Sequence, residues 1–222
     1  MSMGLGIGGL STGFSGRRGT GGNVLPTLTA TPINNTTIEP GIPAHVAGDL
    51  LVVACSASSA TKPTAAGGWA EWGSEINGAR SISVFYLVAT TSSHTISITG
   101  ESGLRQAWAF RNAARDTINF SSSVGSGTTL AWEAQPTMAA NCLVGGYIYV
   151  SSVQTAMETA LFGGGTPLAL AGMVARGVKN TVGAAIAFDS NGAYSSAFAP
   201  ADGTLDSTTT GWIACAFSVK GA

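Results

Sequence analysis

Residues 49–57 read DLLVVACSA. The run is apolar without alternation, short, and rich in β-branched valine, which predicts a buried strand. Similar signals flank it. In Ser81–Ala89 the residues Ile82, Val84, Tyr86 and Val88 share one face at a period of two. In His94–Thr99, Ile96 and Ile98 point inward and Thr95, Ser97 and Thr99 outward. In Leu104–Arg111, Leu104, Trp108 and Phe110 oppose Arg105, Ala107, Ala109 and Arg111.

Further strands are expected at Thr128–Glu133, Asn141–Ser152, Leu168–Ala175, Thr181–Phe188 and Trp212–Val219. Ala156–Phe162 is long enough for one or two helical turns, and no apolar stripe of helical period runs for three turns. Short strands punctuated by Gly, Ser, Thr and Asn predict an all-β fold, a jelly-roll-like β-sandwich formed by residues 24–222 as one domain.

The remaining residues, 1–23, read MSMGLGIGGLSTGFSGRRGTGGN. Glycines alternate irregularly with Leu5, Ile7, Leu10 and Phe14, and Arg17 and Arg18 are the segment's charges. No strand or helix period persists, so this stretch predicts a flexible Gly-rich N-terminal arm whose apolar side chains order against a partner. Gly4, Gly6 and Gly9 satisfy G-x-G-x-x-G in form, but no strand precedes them, and the dinucleotide reading fails its context test.

Composition narrows the function. Of 222 residues only 9% are charged, against about 25% in an ordinary soluble domain, while 45% are apolar and 31 are glycine. Ten Lys and Arg against eleven Asp and Glu leave a net charge of −1, so a nucleic-acid partner is not expected. No apolar run is long enough to span a membrane, and no basic segment precedes an apolar one to suggest a secretory signal. Cys55, Cys142 and Cys215 are widely spaced within apolar runs, which suits buried free thiols in a reducing compartment. A chain with so few surface charges is expected to bury much of its surface against other subunits.

Catalytic signals are sparse. The two histidines, His45 and His94, lie far apart in sequence and outside any metal-ligand spacing. No G-x-S-x-G elbow nominates a serine. Glu71 and Glu75 flank Trp72 and could form the carboxylate pair of a glycosidase only if they faced one cleft. The expectation is therefore a non-enzyme with no cofactor and no metal. Two aromatic loops stand out: Thr61–Arg80, with Trp69 and Trp72, and Asp189–Gly211, with Tyr194 and Phe198. Trp69, Trp72, Tyr194 and Phe198 are candidates for stacking on a glycan or packing on a subunit. Asp202 and Asp206 of the second loop follow no EF-hand spacing and are expected to serve turns.

The glycine-leucine arm, with the series GDLLVVACSA, GGWAEWG, SISVFYLVA, HTISITG and LRQAWAFRNA, resembles β-sandwich proteins among the structural genes of tailed phages. The likeness covers roughly residues 1–115 and is one of style. It implies a virion component made in the host cytoplasm: a capsid decoration (cement) protein, or a tail or fibre adaptor. It further implies a homotrimer that contacts major capsid or tail subunits. Leu5, Ile7, Leu10, Phe14, Arg17 and Arg18 would then be the docking residues of the arm. The alternative is a tail-associated receptor-binding module that recognises a cell-surface glycan.

Overall fold

The computed structural model describes residues 26–29, 33–35, 41–101, 105–113, 119–130, 142–150, 173–181, 183–190 and 203–221. These form thirteen strands: β1 (Thr27–Leu28), β2 (Ile33–Asn35), β3 (Leu50–Ala57), β4 (Thr64–Ala65), β5 (Ala70–Ile76), β6 (Ser81–Val88), β7 (Ile98–Thr99), β8 (Arg105–Arg111), β9 (Asn119–Leu130), β10 (Cys142–Val150), β11 (Met173–Thr181), β12 (Gly183–Ser190) and β13 (Gly203–Lys220). No helix occurs among the described residues. The proposed arm and the helical turns at Ala156–Phe162 lie outside them.

Strands β1 to β8, without β4 and β7, build the first sheet in the order β1-β8-β3-β6-β5, with β2 also on β8. Strands β9 to β13 build the second, in the order β11-β12-β10-β13-β9. All pairings are antiparallel. The two sheets meet through one apolar core, and the fold is an all-β sandwich.

β3 shows why its sequence does not alternate. Leu50, Val52 and Ala54 point into the core between the sheets, with Trp108, Phe110, Tyr147, Ile213 and Phe217. Leu51, Val53 and Cys55 point the other way, into a second apolar cluster with Trp69, Phe85, Ile96, Ile98, Ala107 and Ala109. Every residue of β3 is buried. The first sheet is thus covered on both faces. Its outer cover consists of chain from 61–69 and 90–99, joined by the short β4–β7 ladder. Ser81 and Ser83 of β6 donate hydroxyl hydrogen bonds to the carbonyls of Thr61 and Pro63 at 3.0 and 3.1 Å, and the Trp69 indole donates to the Thr95 carbonyl at 3.0 Å.

Between the sheets, Phe217 is the centre of an aromatic cluster. Trp108 and Phe110 meet it edge-on at 5.2 and 6.3 Å, and Trp72 lies at 5.0 Å, tilted by 42°. The Phe217 ring lies across its cross-strand partner Gly145, where a Cβ would stand 2.3 Å from the ring. Trp212 covers Gly125 in the same way, and Phe120 of β9 covers Gly73 of β5. Much of the glycine in these strands therefore makes room for rings. Hydroxyls also bridge the sheets, Ser56 to Tyr147 at 2.8 Å and Ser58 to Tyr149 at 2.6 Å. At the edge, the Asn77 amide donates to the Gly125 and Trp212 carbonyls.

Several expectations are corrected. Ser, Gly and Thr in 119–127 conceal most of a twelve-residue strand, where only 128–133 was expected to be extended. β13 begins at Gly203, so the end of the expected Asp189–Gly211 loop is strand. Of the expected strand Leu168–Ala175, residues 173–175 belong to β11, which runs on to Thr181, and residues 168–172 lie outside the described residues. His94–Thr99 buries Ile96 and Ile98 as expected but pairs only at β7, because β4 offers it just two residues.

Gly145→Ala should lower stability by about 1–3 kcal/mol, the usual cost of forcing an extra carbon into a packed core. The midpoint of urea unfolding reads this directly. An unchanged midpoint would mean that Phe217 does not rest on this glycine.

A histidine pair and an ion pair at one end of the first sheet

The richest group of polar side chains among the described residues gathers where β3 begins, β6 ends and β8 ends. The turn Val46–Asp49 starts it. Gly48 takes φ of +94°, a backbone position suited to glycine at the third residue of a tight turn. The Asp49 amide closes the turn on the Val46 carbonyl at 3.1 Å, and the Asp49 carboxylate accepts from the Val46 amide at 2.8 Å. Ala89, just after β6, exchanges backbone bonds with Gly48 and Asp49 at 2.8 Å.

Arg111, the last residue of β8, donates through Nε and Nη2 to the two oxygens of Asp49, each at 3.1 Å. Asp49 is 2% exposed, whereas half of the Arg111 side chain meets solvent. Burial alone would push the Asp49 carboxyl up. The paired Arg111 bonds, the Val46 amide, the Arg111 charge and the facing His45 outweigh it and hold the carboxyl below its ordinary value of 3.8. The same pairing raises the Arg111 guanidinium.

His45 and His94, separate in sequence, are brought together. His45 Nδ1 lies 2.7 Å from the Pro43 carbonyl, and His45 Nε2 lies 3.0 Å from His94 Nδ1. His94 Nε2 accepts from the Thr90 amide at 3.4 Å and faces the Thr90 hydroxyl at the same distance. A carbonyl only accepts, so His45 Nδ1 carries hydrogen, and a backbone amide only donates, so His94 Nε2 offers a lone pair. The bond between the rings then runs from His94 Nδ1–H to His45 Nε2. The chain Thr90 to His94 to His45 to Pro43 is a directed line of hydrogen bonds joining segment 41–49 to segment 90–97. His45 is 8% exposed. The sequence reading treated each histidine singly and did not find this pairing, nor the tie between Asp49 and Arg111. The available signal was the turn residues Gly48-Asp49 directly behind His45.

The other candidate residues fall elsewhere. Trp69 is 7% exposed and part of the outer apolar cluster, and Trp72 packs against Tyr86 and Phe217. Trp69 is thus buried, while Trp72, on β5, is partly buried. Tyr194, Phe198, Leu5, Ile7, Leu10, Phe14, Arg17 and Arg18 lie outside the described residues. The bulge between Glu71 and Gly73 sets Glu71 opposite Phe85 and Glu75 opposite Ile82, on different faces of the sheet. Glu71 binds Lys62 and Ser74, while Glu75 accepts from Ser122 across the sandwich at 2.7 Å. These two carboxylates do not face one cleft. Burial pushes the thiols of Cys55 and Cys215 up to about 12, which leaves them protonated and inert at neutral pH. Among the described residues no set of three His, Cys, Asp or Glu is placed to hold a metal ion.

Comparison with models of protein families, with curated proteins and with solved structures finds no match.

Because the Asp49 carboxyl is held below its unfolded value, its contribution to stability is complete above about pH 4 and is lost as pH falls through the lower folded value. Asp49→Asn should therefore unfold at lower urea than the wild type at pH 7. The gap should narrow as the pH drops below about 4. A gap that stays constant with pH would contradict the ion pair.

Proposed function

We propose that this chain is a non-enzymatic structural protein of a tailed-phage virion, a capsid decoration protein that docks through residues 1–23 and presents the sandwich as its body. The observation that carries this reading is how the charges are used. Every carboxylate whose side chain the structure describes is tied to another group: Asp49 to Arg111, Glu71 to Lys62, Glu75 to Ser122 and Glu101 to Arg105. A chain with only 9% charged residues, whose described carboxylates are all paired within it, presents few lone charges to desolvate when a neighbour packs against it.

The sequence of the first 23 residues supports the mode of docking. Leu5, Ile7, Leu10 and Phe14 would fill pockets between capsid or tail subunits, and Arg17 and Arg18 would meet acidic groups there. Assembly in the host cytoplasm suits the unpaired thiols of Cys55 and Cys215. The glycan-binding alternative keeps Trp72, Tyr194 and Phe198 as candidates, while Trp69 is 7% exposed.

Deletion of residues 2–22 should leave a soluble, cooperatively unfolding body that no longer sediments with phage particles, while the full chain does. Light scattering should give both forms a mass about three times the 22.2 kDa chain. Normal sedimentation of the truncated protein with particles would overturn the docking role of the arm, and a monomeric mass would overturn the trimer.

A further inference from the structure

We propose that the His45–His94 pair is an acid-sensitive clasp, which closes segment 41–49 onto segment 90–97 near neutral pH and releases it when both rings are protonated. The argument rests on counting hydrogens along the chain from Thr90 to Pro43. With both rings neutral, each nitrogen has a role: His45 Nδ1 donates to Pro43, His45 Nε2 accepts from His94 Nδ1, and His94 Nε2 accepts from Thr90.

One added proton is accommodated. It binds the lone pair of His94 Nε2, which ends the 3.4 Å bond from the Thr90 amide, and points at the Thr90 hydroxyl oxygen, which turns to accept it. Moving the central hydrogen across the gap between His94 Nδ1 and His45 Nε2 then shares the charge between the rings without changing the proton count. Among the described residues the charged groups around the pair are Asp49 and Arg111, bound to each other. Asp49 faces His45, whose charge helps hold the Asp49 carboxyl down.

A second added proton has no place. It binds His45 Nε2, and two N–H groups then face each other across 3.0 Å, each on a positive ring. Hydrogen bond becomes repulsion, and the rings must separate. Histidine is the side chain whose ordinary charge change falls between pH 5 and 8. What opens is defined by the contacts. Segment 41–49 carries Ile42 against the outer apolar cluster and holds β1 through the Thr29 hydroxyl, which donates to the Ala44 carbonyl at 2.6 Å. Release loosens the cover of the first sheet and the strand that leads back toward residues 1–23.

The protein has only two histidines, so their ring signals in nitrogen-detected NMR of the full chain are free of overlap. At about pH 7.5 both rings should show hydrogen on Nδ1, the minority form of free imidazole. As the pH falls to about 5, one proton should be taken up with the amides of Gly48 and Ala89 still protected. Uptake of the second should coincide with a rise on the order of tenfold in their exchange, beyond the intrinsic pH effect. His94→Asn, whose side-chain amide can still donate to His45 but cannot titrate, should keep both amides protected throughout. Hydrogen on Nε2 in both rings at neutral pH would overturn the proposal, as would double protonation without faster exchange. These ring signals are read in the wild type, so the test stands even if the variant does not fold.

Discussion

A strand with no face toward water imposes a condition on everything around it. β3 sends alternate side chains into two separate apolar clusters, and neither cluster closes without help. One side is closed by the second sheet, with Phe217 at its centre and glycines yielding room for rings. The other has no sheet to close it. Chain from 61–69 and 90–99 does so, and that chain forms only the two-residue ladder of β4 with β7. Its hold comes from single contacts: the hydroxyls of Ser81 and Ser83, the indole of Trp69, and the paired rings of His45 and His94. Polar groups thus help fasten an apolar lid.

That dependence gives the end of the sheet its character. Asp49 and Arg111 are ionised over the whole physiological range, so they anchor the turn against pH. The histidines beside them are held by bonds between their rings and to Pro43 and Thr90. The ion pair and the histidine pair therefore meet in residues 45–49, which bond the end of β6 through Ala89, while Ala44 just before them accepts from Thr29, next to β1.

Much of the fold was legible in the sequence, because apolar strands announce themselves. DLLVVACSA could be read as a buried strand, and Ile82, Val84, Trp108, Phe110, Ile213 and Phe217 fall on the face that period two assigns them. The polar strand β9 was hidden, since Ser, Gly and Thr also compose turns, and only pairing with β13 makes them extended. The tryptophans misled for a related reason. Glycines around Trp69 and Trp72 look like a loop, yet Gly73 is there because the ring of Phe120 occupies the space of a side chain. The histidine pair was not legible at all. Its members stand 49 residues apart, and nothing local marks them as neighbours.

The central claim, that the first sheet is buried on both faces, is tested most directly at two adjacent residues of β3. Val52 faces the second sheet and Val53 faces the outer cover, and both are 0% exposed. Equilibrium urea unfolding of Val52→Asn and Val53→Asn compares the two sides. If both faces are closed, each variant loses at least about 2 kcal/mol, as expected for an amide forced into an apolar core. If Val53→Asn stays within about 0.5 kcal/mol of the wild type while Val52→Asn collapses, the outer face is open to water and the account is wrong.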